Sequence, residues 1–216
     1  MNLPRWLLVL EALVLFVVLP ALLTLNGFHR PTLYLTLWGC CIYCFATLVY
    51  SNLWHWDTLW QGAGWNRRQI RQAAGRFCLA VGFALIMLAT AAPDRLFDFP
   101  RHKPQMWAMV MVFYPLISVV PQEFIYRCFF FRRYAVLFPN PKIMLAVNAL
   151  SFAAMHFVLQ NWVAPLLSLI GGAIFAYGYQ QHRSLKWAAL EHALYGCMIF
   201  TIGLGWFFFR GFAPPP

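Results

Sequence analysis

Charge is what this chain has least of. Only 10% of its 216 residues are charged, 62% are hydrophobic, and the mean hydropathy is +0.64. Long apolar stretches with so little charge exclude a soluble domain and mark a polytopic membrane protein. Nor is there a low-complexity tail or a clear internal repeat, so the chemistry is expected in or beside the bilayer. Several protease signatures are missing too. No His-Glu-x-x-His occurs, and Glu191-His192 has the reverse order; there is no Gly-x-Ser-Gly; Gly203-Leu-Gly205 is followed by Trp206 rather than Asp. Zincin, serine-nucleophile and aspartyl-dyad readings are all weakened. The six cysteines fall within apolar spans, and Cys41-x-x-Cys44 lacks a βαβ context and a second ligand pair, so they read as small packing residues.

What is present is a series of apolar runs. They predict an all-α, polytopic transmembrane helical bundle of about seven to eight spans, near 6–25, 33–53, 77–92, 105–131, 143–159, 162–180 and 187–209. The third is short for a full crossing. The fourth is long and carries Pro115 and Pro121, so it reads as one broken span or two segments. Trp6, Trp54, Trp107, Trp162 and Trp187 fall near span ends, as in interfacial belts. Residues 1–25 resemble a signal peptide, with Arg5 before an apolar run, but no small-residue cleavage pattern closes the segment, and a retained first helix is expected.

The net charge of +10 does not point to nucleic acid, because its distribution follows the loops. With the N-terminus cytoplasmic, ten basic residues face inward: Arg5, Arg67, Arg68, Arg71, Arg76, Arg132, Arg133, Lys142, Arg183 and Lys186. Five face outward: Arg30, Arg95, Arg101, Lys103 and Arg210. This bias predicts an N-terminus in the cytoplasm. The Arg67–Arg76 cluster then reads as a cytoplasmic loop touching anionic lipid.

Against that apolar background the ionisable residues inside spans stand out, since each costs about 2.5–3.5 kcal/mol at the bilayer centre. Glu123 and Arg127, four apart, share a helix face and pair. Pro121 suits the first position of a new half-helix, with Glu123 in its first turn, where the dipole favours an anion. Burial raises a carboxyl pKa and a neighbouring arginine lowers it, a balance that suits a general base; an ion pair that only pins two helices is the alternative. His156 follows Phe152 by one turn, and His192 lies on a later helix; either is a catalytic group or a hydrogen-bonded structural histidine. Glu191 points about 100° away from His192 around the helix, so the two need not act together. By helical rise, Glu123, His156 and His192 lie about 13, 21 and 9 Å below the cytoplasmic basic residues, depths that a cavity open to that side would gather.

Glu123-x-x-x-Arg127, then Phe152-x-x-x-His156, then His192 on a later helix, in that order, resemble the CAAX protease and bacteriocin-processing family of intramembrane endopeptidases, also described as Abi-type proteins. The resemblance covers roughly residues 105–209. It implies a single integral membrane domain, 1–216, with peripheral N-terminal spans (1–104) and a protease-like core from spans 4–7 (105–209). Two positions depart from the family pattern. Gln122 stands where the first of two glutamates is usual, and Gly196 stands where an asparagine usually helps bind the oxyanion.

The activity so implied is hydrolysis of a peptide bond in a membrane-anchored protein or peptide, of a C-terminal processing or sorting type, by a glutamate-activated water. Glu123 is expected to take the proton, His156 to help hold the water, Arg127 to hold Glu123, and His192 with Tyr195 to stabilise the oxyanion. Gln122 is expected to orient water or substrate, and Tyr126 to line the cleft. No cofactor is implied, although His156, His192 and Glu123 are together a possible zinc ligand set. Other readings are an inactive relative that binds substrate or confers immunity, a haem-binding electron-transfer protein ligated by the two histidines, and a small transporter. The compact form resembles bacterial members, so a bacterial inner membrane is expected; the substrate and the lipid bilayer are the partners, nucleic acid is not, and the oligomeric state is open.

Overall fold

The computed structural model describes residues 3–27, 29–56 and 66–209. Every regular element among them is helical. Six helices are long and apolar enough to cross a membrane: α1 (Arg5–Leu25), α2 (Arg30–Tyr50), α3 (Arg67–Ala91), α5 (Pro104–Arg133), α6 (Pro141–Leu159) and α7 (Val163–His182). The short α4 (Asp98–His102) precedes α5, and α8 (Leu185–Ile202) follows α7. The chain is an integral membrane protein built as a helical bundle. Arg210, one of the outward charges in the sequence count, lies outside the described residues.

Three expectations need correction. The Arg67–Arg76 cluster is not a loop, because α3 begins at Arg67. Asn66 starts it: its side chain accepts from the Arg68 amide at 2.9 Å, and the Gln69 side chain accepts from the Asn66 amide at 3.3 Å. That reciprocal cap satisfies amides that would otherwise have no helical partner, and arginine is a good helix former. Hydropathy hid this start, since the first turns of α3 are polar. The α-helix of the seventh run, in turn, ends at Ile202, where Gly203 turns the chain at φ +120 before a short 3-10 turn at Gly205–Phe207. A Cβ at Gly203 would collide with the carbonyl oxygen of Arg95, so the turn needs glycine.

The third correction concerns α5. Pro115 and Pro121 do not break it, and no new helix starts at Pro121. Instead α5 widens into two π-helical turns, Pro115–Val119 and Phe124–Phe129, joined by the α-helical Val120–Glu123. A proline lacks an N–H and crowds the carbonyl one turn back, and a local widening accommodates both defects within a continuous helix. The same device occurs in α1, where Val14–Val18 is π-helical just ahead of Pro20. Glu123 therefore sits mid-helix, without the first-turn dipole expected for it.

Packing around α5 sets the frame of the site. The α6 and α7 helices lie close together because Gly172 has no side chain: a Cβ there would come within 3.1 Å of the Phe152 ring and 3.4 Å of the Ala149 backbone. Gly172 is thus a helix-packing residue, whereas a Cβ at Gly171 would meet only the Phe175 ring of its own helix. Phe16 of α1 packs edge-on against Tyr126 and Phe130 of α5, both at 5.3 Å. Arg133 ties the end of α5 to Glu11 of α1 at 2.9 Å and to Ser51 at 3.0 Å. All six cysteines are free.

Candidate active site

Burial makes α5 the site's foundation. Glu123 and Arg127 are both fully buried, four residues apart, with Glu123 Oε2 3.2 Å from Arg127 Nε. Each ion alone would cost several kcal/mol to remove from water, so a stable arrangement needs further partners. Arg127 has them: Nη1 donates to Asn148 Oδ1 at 2.6 Å, Nη2 donates to the Gly172 carbonyl at 3.4 Å, and the guanidinium lies 5.0 Å from the centre of the Phe152 ring. Asn148 is held in turn by donating to the Tyr126 carbonyl at 2.6 Å. Phe152, placed in sequence only as one turn from His156, is therefore the wall on which the arginine rests.

The second carboxylate oxygen crosses to α8. Glu123 Oε1 lies 2.8 Å from His192 Nδ1. A carboxylate accepts, so Nδ1 carries the proton and the lone pair is on Nε2, 3.1 Å from the Tyr114 hydroxyl. The imidazole is stacked on Phe175 at 4.6 Å, with Phe152 edge-on at 5.5 Å. Its orientation is thus set from three sides. His156 is held differently: Nδ1 is 2.8 Å from the Phe152 carbonyl, to which it donates, again leaving the lone pair on Nε2.

These groups surround one chamber of about 1060 Å³. Tyr114, Gln122, Tyr126, His156, His192 and Tyr195 all line it, among mainly apolar side chains. Gln122 Nε2 donates to Ser118 Oγ at 2.7 Å. Tyr195 packs against Phe77 and Phe175, and its hydroxyl has no hydrogen-bond partner. Among the described residues no Asp or Glu lines the chamber. Glu123 stands behind His192, with one oxygen on the imidazole and the other on the arginine. No group of three His, Cys, Asp or Glu among the described residues is arranged to hold a metal ion.

Residues 104–198 match the family described as type II CAAX prenyl endopeptidase Rce1-like. This stretch is similar to the CAAX protease family. No curated protein and no solved structure gave a match. The matched stretch runs from the start of α5 into α8, and so contains Tyr114, Gln122, Glu123, Arg127, Asn148, His156 and His192, while Phe77 lies outside it.

Glu191, next to His192, serves another contact: it pairs with Arg76 of α3 at 2.9 Å and accepts from Trp187 Nε1 at 3.2 Å. Three participants escaped sequence reading. Asn148 was findable, since an amide inside an apolar span is itself a signal. Ser118 and Tyr114 were not, because a hydroxyl in a span is common and nothing local ties either one to the CAAX-protease motifs. Tyr114 reaches His192 through the gap at Gly196, where any Cβ would overlap the phenol ring. An asparagine could not stand at 196 without displacing that ring.

Proposed function

We propose that the chain is an intramembrane endopeptidase that hydrolyses a peptide bond in a membrane-anchored protein or peptide, of the C-terminal processing or sorting type. The observation that carries this reading is the 2.8 Å contact between Glu123 and His192 at the chamber wall, inside a segment of a protease family. With Oε1 on His192 Nδ1 and Oε2 in an ion pair with Arg127 that forms no hydrogen bond, Glu123 exerts its basicity through the imidazole. His192 Nε2 takes a proton from water while the Glu123 carboxylate stabilises the imidazolium, a division of labour known from carboxylate–histidine pairs. The water oxygen bonds to the scissile carbonyl carbon, and the carbonyl electron pair moves onto its oxygen. Collapse breaks the C–N bond, and the proton on Nε2 passes to the leaving amine.

His156 supports this by holding the attacking water with its Nε2 lone pair. Gln122 orients the water or the substrate carbonyl and takes no proton. Arg127 holds Glu123 in place through their ion pair. The reaction so written uses no cofactor, and the chamber's apolar lining suits a segment that arrives from the bilayer.

The test is cleavage of a membrane-anchored reporter in cells, with wild type compared against Glu123→Gln, His156→Ala and His192→Ala at matched membrane levels. Loss of a general base costs about 10²–10⁴ in rate, so each variant should fall at least about 100-fold. Undiminished cleavage by Glu123→Gln would sink the mechanism. A second reading is favoured by one observation: glutamine, not a carboxylate, occupies the chamber wall beside the histidines. On that reading the chain binds substrate segments without cutting them, and cleavage would appear only in Gln122→Glu.

A further inference from the structure

We propose that Tyr114 is a further catalytic residue, whose hydroxyl donates to the oxyanion only after His192 has taken its proton. The inference rests on the protease reading above. Tyr114 closes the α-helical part of α5 just before the first π-helical turn, 78 residues from its partner. Its hydroxyl is 3.1 Å from His192 Nε2, and its ring is braced edge-on by Phe200 at 5.2 Å. It lines the chamber, so the hydroxyl lies where the imidazole meets a substrate. Gly196, one turn beyond His192 on α8, is what admits the ring.

The sense of that hydrogen bond depends on the protonation of the imidazole. At rest the Tyr114 O–H donates to the bare Nε2, and that bond opens to let the attacking water reach the single lone pair. Once Nε2 has accepted the water proton, N–H becomes the donor and the phenol oxygen the acceptor. The phenol proton, no longer held by the ring, turns to the oxyanion formed in the same step. Tyr114 keeps its proton throughout; the one on Nε2 goes to the leaving amine, and the resting contact then re-forms. A donor that becomes available only as the tetrahedral species forms strengthens binding in the transition state alone, which raises turnover rather than affinity.

The experiment uses the purified full chain in vesicles of phosphatidylethanolamine and phosphatidylglycerol, with quenched fluorescent peptides that carry a palmitoyl anchor. Removing one oxyanion donor costs about 10²–10³ in turnover, so Tyr114→Phe should lose at least about 100-fold in kcat with KM unchanged. Gly196→Ala should lose a similar factor by displacing the ring, and should add nothing in the Tyr114→Phe background. 3-Fluorotyrosine at position 114, a stronger acid of nearly the same shape, should hold or raise kcat. Unchanged thermal unfolding of Tyr114→Phe in detergent keeps the comparison clear of folding effects. A wild-type kcat in Tyr114→Phe, or a loss confined to KM, would overturn this inference alone. Failure of the wild type to cleave any of the peptides would overturn the protease reading and this inference with it.

Discussion

The second and third helices and the last four are built of much the same residues and do opposite things with them. The α2 helix buries only Cys44 and Leu48, and α3 only Ala84 and Leu88. Their large side chains point outward: Leu79 is 76% exposed and Ile86 68% exposed, a surface suited to lipid. By contrast α5 buries a continuous run from Glu123 to Phe131, and α8 buries Glu191, His192, Tyr195 and Gly196 on one side. Apolar character therefore says where a helix can live, while buried charge and missing side chains say which helices were fitted to one another. In lipid the apolar face gains little from finding a protein partner, so polar contacts and close backbone approach carry the specificity.

Breaking the buried charge cluster should have the largest effect. Arg127→Ala leaves the Glu123 carboxylate without its cation and Asn148 without its donor. Losing one partner of a buried pair costs about 3–5 kcal/mol, so a large fall in the thermal unfolding midpoint in detergent is expected. Filling the gap between α6 and α7 should cost less. Gly172→Ala puts a methyl group 3.1 Å from the Phe152 ring, and overpacking of this kind costs about 1–3 kcal/mol. Because Phe152 also supports Arg127 and flanks His192, cleavage should fall along with stability. The smallest effect belongs to the other half of the molecule: Leu79→Ala, on the lipid-facing side of α3, should shift stability by no more than about 0.5 kcal/mol. A large loss there would show that α3 has a protein partner on that face.

The same contrast explains what could be read in advance. The spans were legible because a helix in lipid must be long and apolar, and Glu123, Arg127, His156 and His192 stood out because such a setting makes ionisable groups costly. Their convergence on one chamber was an expectation from depth, and Glu123 and His192 do meet. What escaped was anything decided by polar residues at a span's edge or by tertiary contact. The start of α3 was masked by its arginines until the Asn66 cap was seen. The contact of Glu123 Oε1 with His192, which places the carboxylate behind the imidazole, depends on residues from two helices that no local pattern connects. Tyr114 and Gly196 fit one another for the same reason: each looks ordinary until the two helices are laid side by side.

The widened turns of α5 have a consequence for phase. Tyr114 and Glu123 are nine positions apart, which a regular helix at about 100° per residue would place on opposite sides. Yet one imidazole meets both, Glu123 through Nδ1 and Tyr114 through Nε2. The π-helical turn at Pro115–Val119 lies between them, and such a turn takes up one extra residue, slipping the downstream face back by roughly one position. A single residue's worth of slack thus folds two sides of a helical wheel toward one histidine, and a wheel drawn with a constant period would keep them apart.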